Sequence, residues 1–268
     1  MSMSPLLRRY AFVSIVFIGA CAALTAPARA APLPVDLELI LAVDVSGSVD
    51  AIEAKLQREG YIAALTSEKV LNAIKDGPYR RIAVAYVEWA GAQYQQTIMP
   101  WTLIETAEDA HNFVSKVADS PYVAIRWTSI SGAIDYSMNL FKQSPFEGTR
   151  RVIDISGDGK NNHGREANLA RDEAVAAGIT INGLPILNSR AGAYDYGGPR
   201  GWPSDPDLDI YYQTNVIGGP GAFMVPAESF DTFSEAVQSK LIREVAGLAP
   251  GTPMDGDTQF AYAPKTAE

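Results

Sequence analysis

Leu37-Glu38-Leu39-Ile40-Leu41-Ala42-Val43-Asp44-Val45-Ser46-Gly47-Ser48-Val49-Asp50 is the stretch whose reading decides the fold. Its first seven residues are nearly continuous apolar sequence, the pattern of a strand covered on both faces. The run ends in a carboxylate, followed by hydroxyls at Ser46 and Ser48. Asp50, with Glu53 three residues later, is a capping-box signature that opens a helix running to about Thr66. A doubly buried strand feeding straight into a helix is how an α/β domain with a parallel sheet begins.

Outward from there the alternation continues. Residues 82–87 and 152–155 read as strands, and so do 179–186 and the short run 222–225. Residues 95–101 read as a strand close enough to 82–87 to pair with it as a hairpin. Helices are expected at 106–117, 129–141, 166–177 and 228–245, the third of these stopped by Gly178. The fold class is therefore α/β: a doubly wound, mostly parallel central sheet flanked by helices. Residues 188–221 are rich in Gly, Pro, Asp and Tyr and read as a long loop. From Ala249 to the end, the Pro, Gly and polar residues read as a frayed tail.

Composition narrows the function classes. The 268 residues are 47% hydrophobic and 20% charged, which excludes a disordered or collagen-like chain and leaves ample sequence for a core. Lys and Arg number 22 against 31 Asp and Glu. That acidic balance argues against nucleic acid or an anionic membrane as the main partner. One cysteine, Cys21, excludes a disulfide framework and a cysteine-rich zinc site. Two histidines, His111 and His163, leave little for a histidine-rich metal centre.

Residues 1–30 read as an export signal: Arg8-Arg9, an apolar run over 10–24, and an A-x-A site at Ala28-Arg29-Ala30. The run is too short for a comfortable membrane span, which needs about 20 apolar residues. Cleavage after Ala30 is expected, with export across a bacterial inner membrane to the periplasm or beyond and no membrane span in the mature chain. Ile18-Gly19-Ala20-Cys21 loosely fits a lipoprotein box, but Cys21 sits inside the apolar run and a good cleavage site follows it. Arg8-Arg9 as a twin-arginine signal fits poorly with the residues after it. Cleavage leaves 19 basic against 31 acidic residues and no cysteine.

In doubly wound sheets, ligands sit outside the carboxyl ends of the strands. At that edge stand Asp44, Ser46 and Ser48, then Ser156-Gly157-Asp158-Gly159 after the fourth strand, and Thr128 before the helix at 129–141. All offer hard oxygen ligands, which suit Mg²⁺ or Mn²⁺. With so few carboxylates, a cation held there stays electrophilic enough to accept an outside carboxylate. Taken alone, D-x-S-x-S is weak, because Asp and Ser are ordinary turn and cap residues.

The D-x-S-x-S motif, the downstream Thr and the Asp-Gly after the fourth strand resemble a von Willebrand factor A domain and its metal-ion-dependent adhesion site. The resemblance spans about residues 35–247. It implies that Ser46, Ser48 and Thr128 supply oxygens directly, and that Asp44 and Asp158 act directly or through water. It also implies one short antiparallel strand, which 95–101 matches. Tyr86-Val87-Glu88-Trp89-Ala90-Gly91, Pro100-Trp101-Thr102, Phe146-Glu147-Gly148-Thr149-Arg150-Arg151 and 217–223 resemble an uncharacterised family of secreted bacterial proteins, catalogued as a domain of unknown function. The chain then divides into a signal at 1–30, one A-type domain at 31–248 and a tail at 249–268. One departure stands out: many A domains have Thr-Asp-Gly at the third motif, and here Gly157 intervenes. Asp154 is the weaker substitute for Asp158.

Other candidates are weaker. Glu88 ends a strand at the same edge and reads as a support for the site or an ordinary strand-end acid. Trp89 and Trp101 read as half-buried packing residues. Asp205-Pro206-Asp207-Leu208-Asp209 alternates like a calcium loop, but Ile210 and Val216 stand where an EF-hand needs Gly and Glu. His163 reads as a loop residue before a general base, since nothing near it resembles an activated nucleophile. Gly218-Gly219-Pro220-Gly221 lacks the Lys-Ser/Thr of a phosphate loop. The expected function is an exported binding module that engages a partner protein's Asp or Glu carboxylate through the cation. The alternatives are a metal-dependent hydrolase or phosphatase, for which the usual D-x-D and G-x-S-x-G motifs are missing, and a metal-independent scaffold subunit of an envelope complex.

Overall fold

The computed structural model describes residues 31–121, 123–187, 205 and 207–248. The expected signal at 1–30 and tail at 249–268 lie outside the described residues, as does most of 188–206.

The deciding stretch forms strand β2 (Leu37–Asp44), every residue of it buried. It is the middle strand of a five-stranded sheet. To one side lies β3 (Ile82–Trp89), parallel to it, and then β4 (Gln95–Ile104), antiparallel to β3. To the other side lie β6 (Arg151–Gly157) and β7 (Thr180–Pro185), both parallel. The middle position explains the continuous apolar run, since β2 has helices on both faces and strands on both flanks. The antiparallel strand is not short. It has ten residues, and it tolerates Pro100 because one of its flanks needs no donor. Two residue stretches outside the expected pattern, β1 (Leu33–Val35) and β5 (Phe146–Gly148), make a separate parallel pair.

Alternation of side chains along the strands divides the core in two. On one face, Leu37, Leu39, Leu41 and Val43 pack under α1 (Ala51–Leu65), α2 (Glu68–Asp76), α3 (Ala107–Ala118) and α7 (Phe233–Ala246). On the other, Ile40 and Ala42 pack under α4 (Ile130–Phe141) and α5 (Ala167–Ala176), joined by Leu208 of α6 (Leu208–Tyr211). The capping box that opens α1 is formed as expected: the Glu53 N–H donates to Asp50 Oδ1 at 2.8 Å and the Asp50 N–H to Glu53 Oε2 at 2.9 Å.

Two expectations change. Residues 222–225 form no strand. Instead 218–227 makes isolated bridges, Gly218 to Ile181 and Met224 to Gly183 of β7, and Ala227 to Ile186 just beyond it. The Gly-Gly-Pro-Gly turn bends the chain away between contacts, yet the segment still covers that flank. The loop expected over 188–221 contains structure at its end: α6 continues into a π-helical turn over Tyr212–Val216, and Leu208, Tyr212 and Val216 are all buried.

Candidate metal site

At the carboxyl end of β2, Asp44 is fully buried. The Ser46 N–H donates to its Oδ1 at 2.7 Å, fixing the carboxylate against its own loop. The Ser46 and Ser48 hydroxyl oxygens lie 3.1 Å apart. Ser48 Oγ–H donates across to Asp158 Oδ1 at 2.7 Å, so the first and third motifs meet although 110 residues separate them. Capping is left to Asp50, which frees Ser48 to face the site.

Thr128 is brought to the same place by three anchors. Its N–H donates to Asn162 Oδ1 at 2.8 Å, and its carbonyl accepts from the N–H groups of Asn162 and His163. Upstream, the Ile125 N–H donates to the Val45 carbonyl, tying the Thr128 loop to the D-x-S-x-S loop. At the far end of that loop, Arg58 donates to the carbonyls of Ser120 and Pro121 at 2.6 and 3.0 Å while its guanidinium pairs with buried Glu88 at 2.7 Å. Glu88 is thus a support for the loop through Arg58. Burial raises its pKa above the usual carboxylate range, and Arg58 opposes that shift.

Gly157 turns out to be what makes room for the first carboxylate. A Cβ there would stand 2.8 Å from Asp44 Oδ2 and 3.0 Å from the Tyr212 hydroxyl. The glycine sits within β6, and its extra residue does not prevent Asp158 from reaching Ser48. Asp154 does not substitute for Asp158. It lies within β6 on the face covered by α7, fully buried, 2.6 Å from Lys240 Nζ, which also contacts Glu244. Asn182 completes that cluster by donating to Glu244 Oε1 at 2.9 Å.

The electrostatics at Asp44 fit a cation. Its Oδ2 is buried with no hydrogen-bond partner among the described residues. Burial, and then the negative charge of Asp158, push its pKa well above the usual carboxylate range; burial raises Asp158 as well. An orphaned carboxylate oxygen facing a second carboxylate is costly unless a positive charge compensates. Among the described residues no group of three or more His, Cys, Asp or Glu is placed to hold a metal. The oxygens gathered here are those of two carboxylates and two hydroxyls, Asp44, Asp158, Ser46 and Ser48, with Thr128 Oγ1 3.7 Å from where a Cβ on Gly159 would stand; all are hard-oxygen donors.

The other sequence candidates resolve as follows. His163 is stacked on Trp127, and its Nδ1 accepts the Ala92 N–H at 3.0 Å, so that nitrogen is engaged in structure. His111 is exposed on α3. Trp89 is fully buried, and Trp101 donates its Nε1–H to the Leu140 carbonyl. Asp205 pairs with Lys160 at 2.8 Å, and the acidic run leads into α6. Sequence reasoning missed Asn162, Arg58 and Tyr212. Asn162 stood in plain view three residues after Gly159, but an asparagine in a loop carries no pattern.

The chain belongs to the family described as protein of unknown function (DUF1194), whose model matches residues 34–249. No curated protein matches it. Solved structures show the fold to be that of a von Willebrand factor A domain. Proximal thread matrix protein 1 from the mussel byssus is 15% identical with a TM-score of 0.57; the match covers 80% of this chain and 49% of that one, so the chain spans about half its length. Another structure of that mussel protein, 14% identical with a TM-score of 0.52, covers 79% of this chain and 46% of that one and has a zinc-occupied MIDAS motif. BatB from Bacteroides thetaiotaomicron is 19% identical, with 79% and 99% of the two chains covered and a TM-score of 0.53. A von Willebrand factor type A protein from Catenulispora acidiphila is 15% identical, with 79% and 43% covered and a TM-score of 0.52. Among the described residues no helix is long and apolar enough to cross a membrane.

Proposed function

We propose that the chain is an exported binding module that uses a divalent cation, Mg²⁺ or Mn²⁺, to engage an Asp or Glu carboxylate on a partner protein. One observation carries the reading: Asp44 Oδ2, fully buried, without a partner, and set against a second carboxylate. Asp44, Ser46, Ser48, Thr128 and Asp158 are the residues that would hold the ion. A bound cation would supply the positive charge that both carboxylates lack, and an electrophilic centre for an incoming carboxylate. The chain's own contribution is preorganisation. Ser46 orients Asp44, Ser48 holds Asp158, and Asn162 fixes Thr128 before any ligand arrives. The zinc-occupied motif of the mussel protein supports metal use by domains of this fold. Ser46 stands after β2 where phosphatases of this layout carry the second aspartate of D-x-D, which favours binding over catalysis.

The test is a thermal-shift and calorimetric titration of the mature protein with Mg²⁺ and with Mn²⁺, alongside Asp44→Ala. At about a hundredfold excess over Kd the ion is expected to add about 2.7 kcal/mol of stability, which is roughly 5–10 °C in Tm for a domain of this size. Asp44→Ala is expected to show no shift. A wild-type protein indifferent to both ions would remove the mechanism and leave the scaffold reading.

A further inference from the structure

Beside the metal site the chain presents a short cationic, aromatic ridge. Arg126 and Trp127 immediately precede Thr128, and both are exposed, Trp127 by 47%. The Arg126 guanidinium lies 4.7 Å from the centre of the Trp127 ring, and the His163 ring stacks on that tryptophan at 5.7 Å. Among the described residues Arg126 makes no ion pair.

The backbone here is held against its preference. Trp127 has φ of +76°, a left-handed conformation that a bulky residue rarely adopts and that glycine would accept freely. The strain is maintained from both sides. Ile125 is bonded to Val45, Thr128 to Asn162, and Gly91 opposite is bare: a Cβ there would stand 2.9 Å from the Arg126 carbonyl and 3.3 Å from Trp127 Cβ. Strain concentrated at one exposed aromatic residue next to a binding site marks a conformation kept for contact. Trp127 belongs to neither of the two core clusters.

We infer that Arg126 and Trp127 form a second contact point for the partner, and that the partner segment is doubly acidic. One carboxylate closes the metal site; a second, a few residues away along the partner, pairs with Arg126 while the intervening chain passes the exposed part of Trp127. This rests on the metal-dependent reading above. Charge supports it: in an acidic protein, an exposed arginine two residues before Thr128 presents the sign that an acidic segment requires. An aromatic flank already overlain by a guanidinium suits a peptide with a carboxylate better than a neutral sugar, which needs the open ring face.

The test uses heptapeptides in a Gly/Ser frame, one set with a single Asp and one with a second Glu at each flanking position, read by protein fluorescence in Mn²⁺ and in EDTA. In Mn²⁺ the best diacidic peptide is expected to bind at least fivefold more tightly than the monoacidic one. Arg126→Gln is expected to erase that gain while leaving Mn²⁺ affinity and monoacidic binding within about twofold. Trp127→Gly is expected to weaken both peptides without lowering Tm, because it relieves the backbone; a merely structural tryptophan would lower Tm instead. If Mn²⁺ and the monoacidic peptide bind and the second acid adds nothing, or if Arg126→Gln keeps the gain, the ridge proposal falls and the metal reading stands. If Mn²⁺ does not bind, or peptide binding is equal in EDTA, both fall together.

Discussion

Asp44 is where the proposed metal-binding role and stability oppose one another. Its carboxylate is fully buried, one oxygen is committed to the Ser46 N–H, and the other has no partner while Asp158 sits nearby. A carboxylate whose folded pKa is raised is stabilising to the fold only while protonated. Without metal its contribution is therefore lost as pH rises above the unfolded value. Asn keeps the acceptor for Ser46 and replaces the orphan oxygen with a donor near the Tyr212 hydroxyl. In EDTA at pH 7.5, Asp44→Asn is expected to melt at or above the wild-type temperature, by up to several degrees, with the gap closing toward pH 4. With Mg²⁺ the order is expected to reverse, since on the proposed reading only the wild type gains. A variant less stable than wild type in EDTA would mean that the carboxylate is satisfied without an ion. The same residue shows what was legible in sequence. The run from β2 into D-x-S-x-S is local, so strand, carboxylate, hydroxyls and cap could be read directly. The role of Gly157 could not, because its neighbour Asp44 lies on another strand, far away in sequence.

At the scale of elements, α7 is fastened to β6 and β7 by buried charge. One lysine, Lys240, faces two carboxylates, Asp154 and Glu244, with Asn182 beside them. Burial pushes the Asp154 pKa up to about 7, Lys240 opposes the shift and Glu244 adds to it. The folded protein thus binds a proton that the unfolded chain releases near pH 4, so stability from this cluster falls as pH rises from about 4 to about 7. Urea denaturation in EDTA at pH 5 and pH 8 checks it. The wild type is expected to lose more stability over that interval than Asp154→Asn, in which one lysine faces one carboxylate. Parallel profiles would show that the cluster takes up no proton. This fastening was invisible in sequence, since Lys240 and Glu244 look like an ordinary surface i,i+4 pair until α7 is laid on the sheet. α2 was missed for a different reason: its N-cap Ser67 follows α1 almost without a break, and the expected helix ends at about Thr66 with no second helix read after it.

At the scale of the molecule, the topological order of the sheet was what located the site. Thr128 and Asp158 gain meaning only because β2 and β6 are adjacent and parallel, which brings their carboxyl ends side by side. The supports were out of reach of that reasoning, since Arg58 and Asn162 act across turns that no periodicity describes. The sheet's two flanks differ in a way that bears on how copies of this chain meet. The β7 flank is taken up by 218–227, whereas beyond β4 no strand is paired among the described residues. Among the described residues the five-stranded sheet has one free margin, which can be extended once by a copy turned end for end. Through that sheet, as described, strand pairing between copies stops at two. Sedimentation at high concentration is expected to show no self-association by this route beyond a dimer, and Pro100, set in that margin with no N–H to give, weakens even the dimer.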